Sequence, residues 1–118
     1  MSALVRVADE HVGDVAVVVI DGEIDASNAR DVRERIRNSL TNRGHALVVD
    51  LAETAYIDSA GINVLFALDL ELRQRRQRLH VVVRPESSIA RMIAITGLER
   101  AVATHPERAA ALEAAVAP

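Results

Sequence analysis

The chain has 118 residues, half of them apolar, a formal net charge of −3 and no cysteine. That length fits one domain spanning the whole chain, and the acidic balance argues against a nucleic-acid partner, whose phosphates select a cationic surface. The lack of cysteine excludes disulfides, thiolate metal ligands and cysteine nucleophiles.

With 20 Ala and 16 Val but one Phe, one Tyr and no Trp, the core has to be assembled from small aliphatic side chains. All 14 basic residues are Arg, which fits codon bias in a GC-rich genome and says little about mechanism. The first residues carry a single Arg and no long apolar stretch, and no segment approaches the roughly 20 apolar residues of a membrane helix. A cytoplasmic protein without a membrane partner is expected.

Leu4-Val5-Arg6-Val7 alternates like an edge strand, and Val15 to Ile20 is a β-branched run suited to a central strand. Gly13-Asp14 is the turn that makes the two a hairpin. Asp21-Gly22-Glu23-Ile24-Asp25 reads as a further turn. Ser27 or Asn28 then caps a helix with Ala29, Val32, Ile36 and Leu40 on one face and Arg30, Arg33, Glu34 and Arg37 on the other, ending near Asn42-Arg43-Gly44.

Ala46 to Leu51 is apolar on both faces, as in a strand covered on both sides. A loop leads to the longest helix, from Ser59 to about Arg78, which carries Ile62, Leu65, Phe66, Leu68 and Leu72. Leu79 to Arg84 is a strand stopped by Pro85. Ser87 or Ser88 opens a helix with Ile89, Met92, Ile93 and Ile95, closed by Gly97 in a left-handed conformation. Ala101 to Thr104 is a short strand, and Pro106 suits the first turn of an Ala-rich final helix. The order β-β-α-β-α-β-α-β-α predicts an α/β fold, a mixed sheet of about five strands with four helices packed mainly on one side.

The four histidines, His11, His45, His80 and His105, are not spaced as metal ligands and read as exposed polar residues. Asp21, Glu23 and Asp25 resemble a cation site, but acidic turn residues are the better reading, so no metal is expected. Without a single Lys there is no P-loop, and no cofactor is expected. The run Arg73-Gln74-Arg75-Arg76-Gln77-Arg78 suits the negative end of the long helix better than it suits nucleic acid.

Ser59 is the most informative residue. It begins a helix after a buried strand, where its hydroxyl reaches solvent beside backbone N–H groups that favour an anion. That suits a phosphorylation switch. The plain alternative is an N-cap serine. Ala60 and Gly61 keep the first turn bare, which would let another protein approach closely. A serine hydrolase would need glycines flanking Ser59 and a histidine brought to it, and the flanks here are Asp58 and Ala60.

Taken together, Gly22-Glu23-Ile24-Asp25, Val49-Asp50-Leu51 leading through Ile57 to Asp58-Ser59-Ala60-Gly61, and Thr96-Gly97-Leu98 make the chain resemble the STAS domain of anti-sigma factor antagonists, over nearly its full length. The resemblance implies a bacterial partner-switching regulator of transcription, not an enzyme. In that family the unphosphorylated protein binds an anti-sigma factor that is often a serine kinase and so frees a sigma factor. Phosphorylation of the serine after the aspartate, here Ser59, breaks the complex, and a phosphatase restores it. Many members have a second serine where this chain has Ala60. Asp25 matches an acidic position in the surface for the kinase and Asp58 the acid beside the acceptor, so Asp25, Asp58, Ser59, Ala60 and Gly61 are the expected partner-binding residues. The alternatives are a STAS docking subunit of a lipid-transport or stress-sensing assembly and, in another class, a small serine hydrolase.

Overall fold

The computed structural model of the protein describes residues 5–40 and 44–117, so Leu4 and the expected helix stop at Asn42-Arg43 lie outside the described residues. The elements are β1 (Val5–Val12), β2 (Val15–Ile24), α1 (Ala29–Ser39), β3 (Ala46–Asp50), β4 (Thr54–Ile57), α2 (Ser59–Gln74), β5 (Arg78–Val82), α3 (Ser88–Thr96), α4 (Leu98–Ala101), β6 (Ala103–His105) and α5 (Arg108–Val116). They form one mixed sheet in the order β1-β2-β3-β5-β6, with β4 also paired to β2.

β1 and β2 are antiparallel from Val5↔Gly22 to Val12↔Val15, joined by the expected turn, whose Gly13 takes φ +60°. The positive φ at its first central position is the geometry that matches the twist of a hairpin. Every other pairing is parallel, as expected when helices connect the strands.

Alternation along the strands sorts the core into two layers. Val18, Ile20, Leu47, Val49, Leu79 and Val81 face the larger layer, which also takes Val32 and Ile36 of α1, Ile62, Leu65, Leu68 and Leu72 of α2, Ile89 and Ile93 of α3 and Leu98 of α4. Val15, Val17, Ala46, Val48 and Val82 point the other way and meet Ala111 and Ala115 of α5. The alanines let α5 lie close on the valines. Four helices therefore cover one face and one covers the other, which is the one-sided bias expected of the fold.

Several boundaries differ from expectation. The segment Asp21–Ile24 is not a turn but the end of β2, because Thr54–Ile57, expected as loop, pairs with it as β4. α2 stops at Gln74, and Arg76 follows with a positive φ of 59°. Gly97 takes the expected left-handed conformation, but the one-turn α4 starts again directly after it, so Ala101 is helical and β6 begins at Ala103. The N-cap of α5 is Glu107, which leaves Pro106 outside the helix. Ile95 of α3 is 74% exposed and takes no part in the core.

One histidine also departs from expectation. His80, at the centre of β5, is buried, and its Nδ1 lies 3.0 Å from Nε2 of His105 on β6. Burial, with the adjacent charges of His105 and Arg78, holds the His80 imidazole below its ordinary value. A histidine that is harder to protonate when folded contributes stability that is full above its unfolded value, near 6.5, and is lost as pH falls from there toward the folded value. Chemical denaturation between pH 7.5 and 5, taken at steps of about half a unit, is expected to show stability declining below about 6.5, and His80→Gln should flatten that decline.

Candidate functional site

The site is built where the C-terminal ends of β2 and β4 lie side by side. Ile24 pairs with Ile57, and the Asp58 N–H donates to the Ile24 carbonyl at 3.2 Å. The residues that follow these two strands, Asp25 and Asp58, are thereby brought to adjacent loops. Both α1 and α2 begin here, so two helix N-termini share one end of the sheet.

Asp58, not Ser59, is the N-cap of α2. Its extended backbone (φ −106°, ψ −172°) aims Oδ1 at the N–H groups of Ala60 (2.9 Å) and Gly61 (3.1 Å), and its carbonyl accepts the first helical bond from Ile62 at 3.0 Å. The plain alternative for Ser59 is thus removed: Ser59 is the first helical residue, exposed, and the capping is done by its neighbour. A side chain at that position needs no particular identity for helix stability, which leaves its hydroxyl available for chemistry.

Asp25 is fixed by its own loop. Its Oδ1 accepts from the Ser27 N–H at 2.9 Å and from the Ser27 hydroxyl at 2.5 Å. The Ser27 hydroxyl bond, joined by the backbone N–H groups of Ser27 and Asn28, holds the Asp25 carboxyl below its ordinary value despite the opposing effect of desolvation, so it stands as an anion. The loop is clamped by Asn28, 1% exposed, whose Oδ1 accepts from the Asp25 N–H (3.1 Å) and whose amide donates to the Glu23 carbonyl (2.9 Å). Asn28 was expected only as a cap. Its side chain makes no capping bond to α1 and instead ties β2 to the loop that presents Asp25. Nothing local in the sequence distinguishes the two uses of an asparagine there.

Two residues at the site behave differently from expectation or were not anticipated. Gly61 is buried. A Cβ built on it would lie 2.5 Å from Cγ1 of Ile57 and 3.0 Å from Cγ2 of Ile24. Glycine here serves the seating of α2 on β2 and β4, while Ala60, half-buried, lines a groove between α1 and α2 with Ala29, Arg30 and Asn63. Tyr56, the chain's single tyrosine and 49% exposed, stands on β4 two residues before Asp58. An exposed aromatic ring on the strand that leads to Ser59 is a natural contact for a partner, and it was hidden while Thr54–Ile57 read as loop.

Asp21 is paired with Arg6 at 3.3 Å, and among the described residues no three His, Asp or Glu side chains are grouped to hold a metal ion. His11 bonds the Ser39 carbonyl and His80 bonds His105, while His45 precedes β3 at the opposite end of the sheet from Ser59. No helix among the described residues is long and apolar enough to cross a membrane.

The model of the STAS domain family matches residues 6–111. The chain is similar to the anti-sigma-F factor antagonist RsfB of Mycobacterium tuberculosis, 36% identical over 99 residues, 84% of this chain and 78% of the relative. It is also similar to the anti-sigma-B factor antagonist of Listeria monocytogenes, 36% identical over 81 residues, 69% of this chain and 70% of the relative. Among solved structures, the crystal structure of an anti-sigma factor antagonist from Mycobacterium paratuberculosis superimposes with a TM-score of 0.84 at 29% identity, covering 94% of this chain and 93% of that one.

Gly61→Ala is expected to cost about 1–3 kcal/mol, the range for inserting a methyl group into a packed core, and Asp58→Ala about 1 kcal/mol through loss of the cap. Urea denaturation measures both. Parental stability in Gly61→Ala would show that Ile57 and Ile24 give way easily and that the glycine is not a packing residue.

Proposed function

The chain belongs to the STAS domain family, and we propose that it is an anti-sigma factor antagonist whose binding is switched off by phosphorylation of Ser59. The observation that carries this reading is an exposed serine at the first position of α2, freed from capping by Asp58 and flanked by the anionic Asp25. The curated relatives named as antagonists support the class. The unmodified protein binds an anti-sigma factor with serine kinase activity, which transfers the γ-phosphoryl group of ATP to the Ser59 hydroxyl, and a phosphatase hydrolyses the phosphoester. The chain is a regulator and a substrate, not the catalyst. Asp25, Asp58, Ser59 and Ala60 contribute to the docking surface, and Tyr56 extends it.

Electrostatics explains why one group suffices. A phosphate adds roughly −1.5 to −2 charge at pH 7, here beside two carboxylates. In the free protein solvent surrounds it and the N-terminus of α2 favours it. In the complex the same charge must be desolvated against a surface shaped for a neutral hydroxyl, and each 1.4 kcal/mol of that cost is about tenfold in affinity. Alanine at position 60 leaves no second hydroxyl in the turn to receive a phosphoryl group.

With the cognate kinase and ATP, phosphopeptide mapping is expected to place the label on Ser59, with Ser27, Ser39, Ser87, Ser88, Thr54 and Thr96 clean. Ser59→Ala should bind the partner regardless of ATP, and Ser59→Glu should bind about tenfold or more weakly, as for a charge buried in an interface. Equal calorimetric affinities for Ser59→Ala and Ser59→Glu would place Ser59 outside the interface and end this account. Phosphorylated protein should melt within about 1 kcal/mol of the unmodified form, the reach of a charge at a helix terminus.

A further inference from the structure

The arginine run after the middle of α2 divides into two parts. Arg73 serves the fold: it pairs with Asp69 at 3.1 Å and donates to the Ala101 carbonyl at 2.6 Å. Arg76 and Arg78 lie beyond the helix, Arg76 in a left-handed turn at φ 59° and Arg78 at the first position of β5. Both are exposed, and among the described residues neither guanidinium has an ion-pair or hydrogen-bond partner.

Arg76, Arg78 and His80 form a wall common to two adjoining clefts of about 530 and 710 Å³, within the roughly 300–1,000 Å³ typical of small-molecule sites. The first cleft is closed by Asp69 and Arg73 from α2, the second by His45 at the entrance to β3 and by the last turn of α5. Among the described residues, Asp69 is the sole carboxylate side chain lining either cleft, and it pairs with Arg73. The C-terminal carbonyls of α2 and α5 contribute about half a negative charge each, too little to offset two full guanidiniums. His80 lines both clefts, with its Nδ1 3.0 Å from Nε2 of His105.

We propose that this end of the sheet, opposite Ser59, is a binding site for a compact oxyanion, either inorganic phosphate or the phosphoryl group of a small phosphorylated metabolite, held by Arg76 and Arg78 with His80 and His45 completing the shell. Arginine forks match the tetrahedral oxygens of phosphate in paired hydrogen bonds. The site shares no residue with the Ser59 surface, so it stands or falls independently of the switch. The groups that touch His80 or share its clefts are His105 from β6, Arg78 on its own strand, Arg76 from the preceding turn, His45 just before β3, and the Asp69–Arg73 pair from α2. An anion among them relieves the charge that disfavours the imidazolium, so binding should raise the His80 titration.

The test is an NMR titration of the full chain with inorganic phosphate and with glycerol phosphate, at constant ionic strength. Saturable shifts of the Arg76 and Arg78 Nε–H and the His80 ring, with an upward move of the His80 midpoint, are expected. Arg78→Gln and Arg76→Gly should each weaken binding at least about tenfold, the loss of a charge-assisted contact. Arg76→Gly separates binding from folding, because glycine adopts the left-handed turn freely and should leave the melting temperature unchanged or higher. Arg30→Gln, on α1 beside Ser59, should bind as the parent does. Tighter binding of glycerol phosphate identifies a metabolite site, and equal binding a free-anion site. Shifts that never saturate, or both cleft variants binding like the parent, would overturn the proposal.

Discussion

The Ser59 surface depends on the last three residues of β2 finding a second partner. β3 pairs with β2 only as far as Val19↔Asp50, and the chain then jogs through Leu51–Glu53 so that β4 continues along the same strand from Gly22↔Thr54 to Ile24↔Ile57. Thr54 fixes the jog, its hydroxyl donating to the Ile20 carbonyl at 2.8 Å, and the Gly22 N–H reaches the Glu53 carbonyl at 3.3 Å. The register shift between Gly22 and Glu23 takes up the mismatch, with Gly22 at φ 113°. Only glycine enters that region without strain. Without this second pairing Asp25 and Asp58 would sit on unrelated loops, and α2 would start away from α1.

That constraint also explains why Gly61 belongs to the fold. β4 ends in Ile57, which must turn into the core while Asp58 turns up to cap α2, so the first turn of the helix rests on Ile57 and Ile24. The packing that locks α2 in place is therefore within two residues of the serine that faces solvent. A rigid seat for an exposed hydroxyl is what a kinase substrate and an interface hot spot both require, since a mobile serine would lose ordering entropy in either complex.

How much of this was legible in the sequence follows from which interactions are local. The β-branched run Val15–Ile20, the helix faces of α1 and α2 and the left-handed Gly97 are set by neighbours in the chain, and they lie where pattern places them. β4 was hidden because Thr54-Ala55-Tyr56-Ile57 has too little apolar periodicity and becomes a strand only against Gly22–Ile24, some 30 residues earlier. The burial of His80 was hidden for the same reason, since its partner His105 lies 25 residues on. Within the site, Asp25, Asp58 and Ser59 could be chosen by sequence, whereas the choice of Asp58 over Ser59 as cap and the inward turn of Gly61 depend on backbone angles that the residue types do not specify.

The two ends of the parallel sheet have opposite electrostatic characters, and the chain's charges follow them. Helix N-termini gather at the end where β2 and β4 finish, and there Asp25 and Asp58 sit. Helix C-termini gather where β3 and β5 begin, and there Arg76, Arg78 and His45 sit. Carboxylates at N-termini and cations at C-termini stabilise helices, so both assignments are good for the fold. The consequence for function is a division of labour by sign. At the Ser59 end, Asp58 already occupies two of the N–H groups that would otherwise welcome an anion. On the proposed reading, a phosphoryl group on Ser59 finds those two N–H groups taken, gains only the field of the helix N-terminus, and stays exposed to whatever docks on it. A capping serine would have presented the phosphate to the helix instead, whose roughly half positive charge offsets part of it. If Ser59 is the acceptor as proposed, the placement of the cap one residue before it is what would let a modification that the fold tolerates be one that an interface does not.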